Sequence, residues 1–286
     1  IGEQREHIVP FLFGGGQNGK GTMLRAIMKA IGKYGCAVPS DMLMERTHAP
    51  HASQKATLMG KRFAIADELP HNREFDVAAL KSLSGGDPIA AQFMRQDWFT
   101  FDPSHTLWLQ GNDKPRIPGS DFGTWRRMRL IPFLVKIPDS EKDPDLDRKL
   151  AAERDIVMRW AIDGAVAYMR DGLQVCGEVQ GATAEYQADS DVLGQMIAEC
   201  CEFGLERWVS KSSFREALIA WYADEGRKGV PSNGTIKNDF AKRGIVEHRQ
   251  TRTGPWGWKG IGLTLERQEL LREAKYGNSP SWHGRD

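Results

Sequence analysis

Phe11-Leu12-Phe13-Gly14-Gly15-Gly16-Gln17-Asn18-Gly19-Lys20-Gly21-Thr22 runs from an apolar strand, through a turn with four glycines in six positions, into a helix beginning near Lys20. Chain that turns this tightly turns successive backbone N–H groups inward. With the helix N-terminus they make a concave anion site. Gly14, Gly19 and Lys20 fill the G-x-x-x-x-G-K pattern of a phosphate-binding loop, in which the lysine reaches the β- and γ-phosphates. One position departs. The residue after the lysine is normally Ser or Thr, whose hydroxyl ligates Mg²⁺; here it is Gly21, and Thr22 follows one place later. A flexible glycine turn with a chance lysine is the plainer reading. The apolar strand from Ile8 to Phe13 and the helical spacing of Met23, Leu24, Ile27, Met28 and Ile31 weigh against it.

At 286 residues the chain is long enough for one or two domains, and 40% hydrophobic with 27% charged residues is the composition of a globular protein. No apolar run approaches the length of a membrane span. The first residue is Ile1, so we expect a fragment of a longer protein cut just before its first core strand. Net charge is only +1 and does not identify a partner. Its distribution is more telling: residues 227–259 hold eight Lys and Arg against two acids, either a phosphate-facing surface or a solvated basic face. The four cysteines have no C-x-x-C spacing, which speaks against both zinc and a disulfide framework and fits a reducing compartment. His48 and His51 are candidate metal ligands on paper, but without a third ligand nearby an exposed loop is the better reading.

Forty-seven positions after Lys20, the apolar strand Arg62–Ala66 ends in Asp67-Glu68. Adjacent residues at a strand end point to opposite sides, so one carboxylate is free to hold Mg²⁺ while the next orients the attacking water. A second apolar strand, Thr106–Gly111, ends at Asn112, an amide that suits the γ-phosphate or the water and, taken alone, a turn. Two short strands around Arg95-Gln96-Asp97 read as a hairpin. Its Arg95, with Lys81 on the helix before it, either touches a nucleic-acid backbone or faces water. Arg126, Arg127 and Arg129 lead into a third apolar strand. An arginine there can reach a neighbouring subunit's nucleotide, or pair with local acids or DNA phosphates.

Taken together, "GGGQNGKGT", "RFAIADEL", "LKSLSGGDPIAAQFMRQDWFTF", "LWLQGNDKPRI" and "WRRMRLIPF" resemble the superfamily 3 helicases, and closely the helicase part of phage and plasmid primase–helicases, the poxvirus-type branch included. The resemblance covers roughly residues 8–175. It implies an α/β fold: a P-loop NTPase αβα core of the AAA+ type with a helical lid. It implies ATP and Mg²⁺ as cofactors, and a homohexameric ring around single-stranded DNA that unwinds duplex at a fork in the cytoplasm of a bacterial host. A primase part would lie upstream in cis, and no membrane is involved. By the same resemblance, Gly14, Gly16, Asn18, Gly19, Lys20, Gly21 and Thr22 bind nucleotide and Asp67, with Glu68, holds Mg²⁺. Glu68 is the base, Asn112 the sensor, and Arg127 the arginine finger with Arg126 close behind. Lys81, Arg95 and Gln96 face DNA in the channel. Gly21 removes the metal-side hydroxyl, so weaker Mg²⁺ binding is expected. Gln92 also departs, at a place where a basic residue is expected.

Helical spacing over residues 147–173 reads as the lid, and 175–188, with Gly177 and Gly181, as a linker. Beyond it, Ile197–Phe203 reads as one helix. A second opens at Ser212-Ser213 and a third runs from Thr235 to Arg243. Strands at residues 245–248 and 256–261 follow, joined by a polar loop. Three helices and a basic hairpin make a winged helix, a small α+β domain that resembles the C-terminal module of these proteins. Lys237, Lys242 and Arg243 on the third helix and Arg249 and Arg252 on the wing are its phosphate contacts. Trp256 and Trp258 either stack on bases or, as we expect, pack inside. The expected boundaries are 1–137 for the core, 138–178 for the lid, 190–266 for the winged helix and 267–286 for a disordered tail. Two other functions fit the same residues: a nucleotide-dependent DNA-binding module without motor activity, and an RNA-directed helicase of the same superfamily.

Overall fold

The computed structural model describes residues 2–46, 52–69, 73–117 and 121–276. His48, His51 and residues 277–286 lie outside them. The chain divides into two units, residues 1–190 and 191–286.

The first unit is organised by five short strands that are apolar on both sides. They are β1 (Val9–Phe13), β2 (Gly35–Val38), β3 (Phe63–Ala66), β6 (Thr106–Gly111) and β7 (Met128–Pro132). All pair in parallel in the order β2-β3-β6-β1-β7. A parallel sheet needs helices on both faces, and the alternation along each strand supplies them. Phe11, Ala64, Leu109 and Leu130 point to one core, shared with Leu80, Leu83 and Tyr186. Leu12, Phe63, Ile65 and Trp108 point to the other, shared with Leu24 and Ile27. The helices are α1 (Lys20–Ile31), α2 (Ala52–Ala56), α3 (Val77–Ser84), α4 (Phe122–Trp125), α5 (Leu146–Ala152), α6 (Arg154–Asp171) and α7 (Gly177–Ser190). The mixed α/β order around a parallel sheet is that of a P-loop-like core. Strands β4 (Ile89–Gln92) and β5 (Trp98–Phe101) form the separate antiparallel hairpin expected between β3 and β6.

Residues 175–188, expected as a linker, are mostly α7. Its small residues hide how it packs. Tyr186 is buried with its ring edge-on to Trp125 and Phe11, and the hydroxyl of Thr183 accepts from the Leu130 backbone N–H at 2.9 Å. No helix among the described residues is long and apolar enough to cross a membrane.

The second unit comprises α8 (Val192–Cys200), β8 (Cys201–Ser210), α9 (Lys211–Asp224), α10 (Asn233–Lys242), β9 (Val246–Arg249), β10 (Trp256–Leu263) and α11 (Leu265–Tyr276). Its sheet is antiparallel, β8-β10-β9, with a bulge at Gly260, whose φ is 97°. Three expectations need correction. The helix read to Phe203 stops at Cys200, and the chain continues as β8. The cap of α9 is Ser210, whose Oγ accepts from Ser213 N at 3.0 Å, so the helix opens before Ser212. The tail read from residue 267 is helical to Tyr276. Arg267 is buried there, donating to Asp224 at 3.0 Å and to the Ala217 carbonyl at 3.1 Å.

Candidate nucleotide and nucleic-acid sites

The turn after β1 is shaped by backbone that other residues resist. A Cβ on Gly14 would lie 2.1 Å from the Phe133 carbonyl oxygen, so only glycine fits. Gln17 and Gly19 have φ of 64° and 84°, in the left-handed region. Side chains cap the starts of α3, α8, α9 and α10, from Asp76, Asp191, Ser210 and Ser232, whereas α1, like α4, α5 and α6, has no side-chain cap. Its first N–H groups are left for an anion. Asn18 braces the turn, its amide donating to Gly15 O at 2.6 Å and Phe133 O at 2.8 Å. An open cavity of about 490 Å³ sits against it, lined by Phe13, Gly14–Gln17, Phe133, Leu134 and Lys136. Gly16 has free space on its Cβ side, so space does not require glycine there.

Lys20 is buried at the mouth of this turn. Its ammonium donates to Gly14 O at 2.6 Å, Asn18 Oδ1 at 2.9 Å and Asn112 Oδ1 at 3.2 Å. Burial lowers its pKa and the nearby Asp67 carboxylate acts the other way. β6 lies between β1 and β3, so Asn112 at its end comes between the lysine and the carboxylates. Asp67 and Glu68 are exposed, as the strand ends predict. Glu68 has φ of 51°, a conformation that costs about 1–3 kcal/mol and collects at functional sites. Its own N–H donates to Asp67 Oδ1 at 2.8 Å. Among the described residues no group of three His, Cys, Asp or Glu could hold a metal. The exposed carboxylate pair suits Mg²⁺, which is held by one or two carboxylates together with substrate phosphates. A bare anion cradle, a buried ammonium and that pair fit a metal–triphosphate.

A family model described as a family of unknown function (DUF5906) matches residues 12–127, the stretch that carries the turn, the carboxylates and the amide. "Putative helicase L207/L206" of Acanthamoeba polyphaga mimivirus is 27% identical over 269 residues, 87% of this chain and 27% of that protein. "Putative primase C962R" of African swine fever virus (strain Badajoz 1971 Vero-adapted) is 22% identical over 218 residues, 68% of this chain and 22% of that protein. These relatives carry the names of helicases and primases of large DNA viruses, and the likeness to them supports a primase–helicase kinship. This chain spans about a quarter of the length of these relatives. The solved structure "The A form apo structure of NrS-1 C terminal region-CTR" aligns with TM-score 0.49 and 12% identity, over 97% of this chain and 59% of that one.

The two arginines part company at the junction of α4 and β7. Arg127, expected as the finger, is buried, donates to the Gly123 carbonyl at 2.6 Å, and feels Asp121 and Asp87. Arg126 is the exposed one of the two. Lys81, also expected to face DNA, is paired with Asp121 at 2.6 Å. On the hairpin, Arg95 is exposed with φ of 61°, and Gln96 follows it at the turn. Met94 and Trp98 beside them are 80% and 64% exposed, an apolar surface that the charge pattern did not suggest. Lys136 was also missed, because nothing in sequence links it to a turn 120 positions earlier.

In the second unit two of the expected phosphate contacts have acidic partners. Arg243 is locked to Asp191 and Asp239, each at 2.6 Å, and Lys237 pairs with Glu247 at 2.8 Å. Lys242, Arg249 and Arg252 remain on the surface. Trp258 packs inside as expected, but Trp256 does not. It is 47% exposed, with the Arg249 guanidinium 4.5 Å from its ring centre.

Proposed function

We propose that this chain is the ATP-driven DNA-unwinding part of a larger replication protein of a phage or other mobile element, working in the host cytoplasm. The observation that carries this is the Lys20 ammonium, buried at an uncapped helix start with Asn112 and the Asp67-Glu68 pair at the neighbouring strand ends. When bound, Mg²⁺–ATP supplies the transferable phosphoryl group. Gly14–Thr22 and Lys20 grip the phosphates, and Asp67 faces the metal side. Glu68 orients the water and takes its proton, and Asn112 reads the distal phosphate. This is catalysis by positioning and charge stabilisation. We assign the trans-acting arginine to Arg126, so hydrolysis belongs to an assembly, which we take to be an AAA+-type hexameric ring. DNA would run against Arg95 and Gln96. The second unit, read as a winged helix, would hold duplex phosphates with Lys242, Arg249 and Arg252. The primase part would lie in cis, outside this chain.

Strand displacement on forked DNA with ATP tests the proposal against a Lys20→Ala control. Unwinding by the parent chain alone supports it; equal traces overturn it. Gly21, lacking the metal-side hydroxyl, favours a second reading, a nucleotide-dependent DNA-binding module. Glu68→Gln separates the two: a motor stops while still binding ATP, whereas a module keeps its function. Competition between labelled DNA and RNA strands tests the RNA-directed alternative.

A further inference from the structure

Arg25 lies one turn beyond Gly21 on α1, and its guanidinium folds back over that glycine. A Cβ on residue 21 would lie 2.9 Å from Arg25 Nη1. Nη2 donates to Thr22 Oγ1 at 3.2 Å, while Nε and Nη2 reach the two Asp147 oxygens on α5 at 3.1 and 3.4 Å. The Gln110 amide nitrogen is 3.6 Å from the same point. Gln110 Oε1 is buried without a hydrogen-bond partner among the described residues. The place beside Lys20 that a hydroxyl at position 21 would fill is therefore taken by a permanent cation, with the Gln110 amide nitrogen alongside.

The Arg25–Asp147 pair is about half exposed, with side chains 56% and 45% accessible. Such pairs contribute little, so changing partner is cheap. A planar guanidinium also matches phosphate better than any other side chain. Resting on the nucleotide reading above, we propose that Arg25 is a phosphate-binding residue of this site, held by Asp147 until nucleotide arrives. It takes over charge neutralisation that a hydroxyl-bound metal supplies in the usual loop, and Gly21 is the residue that leaves it room.

The test is titration of the whole chain with a fluorescent ATP analogue, once in excess Mg²⁺ and once in EDTA. The unsubstituted chain should bind in both. Arg25→Ala should weaken binding about 10- to 100-fold in EDTA, the scale of a charge-assisted contact, and less in Mg²⁺. Asp147→Asn should tighten binding about two- to fivefold, by releasing the guanidinium. If Arg25 only ties α1 to α5, both substitutions break the tie and both weaken binding alike; that result, or an unchanged Arg25→Ala, overturns the inference alone. Binding by the unsubstituted chain in Mg²⁺ but not in EDTA overturns the inference alone; absence of binding in both buffers overturns the nucleotide reading and this inference with it.

Discussion

The Lys20 ammonium donates to the side-chain oxygen of Asn112 at 3.2 Å, joining residues 92 positions apart at the ends of two parallel strands. This bond ties the phosphate cation to the residue assigned as sensor before any ligand arrives. Ligands of open parallel sheets bind at such carboxyl ends. Lys20→Ala should weaken ATP binding about 10- to 100-fold, the scale of a lost charged hydrogen bond. Asn112→Ala should leave binding within a fewfold while lowering the hydrolysis rate at least tenfold. Fluorescent-nucleotide titration and phosphate release measure the two separately.

Arg126→Ala should abolish most hydrolysis, by about 10³–10⁵ if it behaves as other trans arginines do, without altering urea unfolding. Mixing it with a Lys20→Ala chain should restore activity, since each supplies what the other lacks. Arg127→Ala should instead destabilise the first unit by about 1.5–3 kcal/mol, through loss of its buried bond to the Gly123 carbonyl. Concentration-independent activity in dilute parent protein would remove the trans role.

Gly21→Ser adds a hydroxyl where Arg25 now lies, and the long side chain can swing away. We expect the Mg²⁺ concentration for half-maximal hydrolysis to fall. A Mg²⁺ titration of ATPase checks it, and an unchanged midpoint refutes the role given to position 21.

His105 is buried, its Nε2 donates to the Leu83 carbonyl at 3.1 Å, and burial pushes its pKa down to about 4. Unfolded histidine takes its proton near 6.5. Below that pH the unfolded chain binds a proton that the folded one refuses until about pH 4. Stability is therefore intact above pH 6.5 and falls as pH drops towards 4, by up to about 3 kcal/mol. Urea unfolding of the parent and of His105→Gln between pH 7.5 and 4.5 should show the slope flattened in the variant.

Met94→Ala with Trp98→Ala removes exposed apolar surface from the hairpin. Single-stranded DNA affinity should fall, by about 1–3 kcal/mol per lost base stack, with the thermal midpoint unchanged. Fluorescence anisotropy of labelled oligonucleotides measures the first, and a thermal scan the second.

What the sequence disclosed was local chemistry. The Gly14–Lys20 turn, the strand ending at Asp67 and the one ending at Asn112 each carry their signal within a dozen residues, and the order of the elements follows. What it hid depended on distant partners. Lys81 looks free until Asp121 is brought to it across 40 positions, and Arg243 until Asp191 is, across 52. The choice between Arg126 and Arg127 turns on a single residue at a helix-to-strand junction, where neither period applies. α7 looks like a linker because its burial rests on Tyr186, Ala182 and Thr183 rather than on an apolar stripe. α11 looks like tail because its anchor is a buried arginine.

The Thr183–Leu130 contact has a consequence for assembly. β7 is the outermost strand on its side of the sheet, and α7 lies along it with a hydroxyl on one of its outward amides. Copies of this chain that gather into a ring cannot do so by zipping backbone to backbone along that flank. A second copy would have to displace that helix before pairing with the strand, so this flank is closed to extension of the sheet.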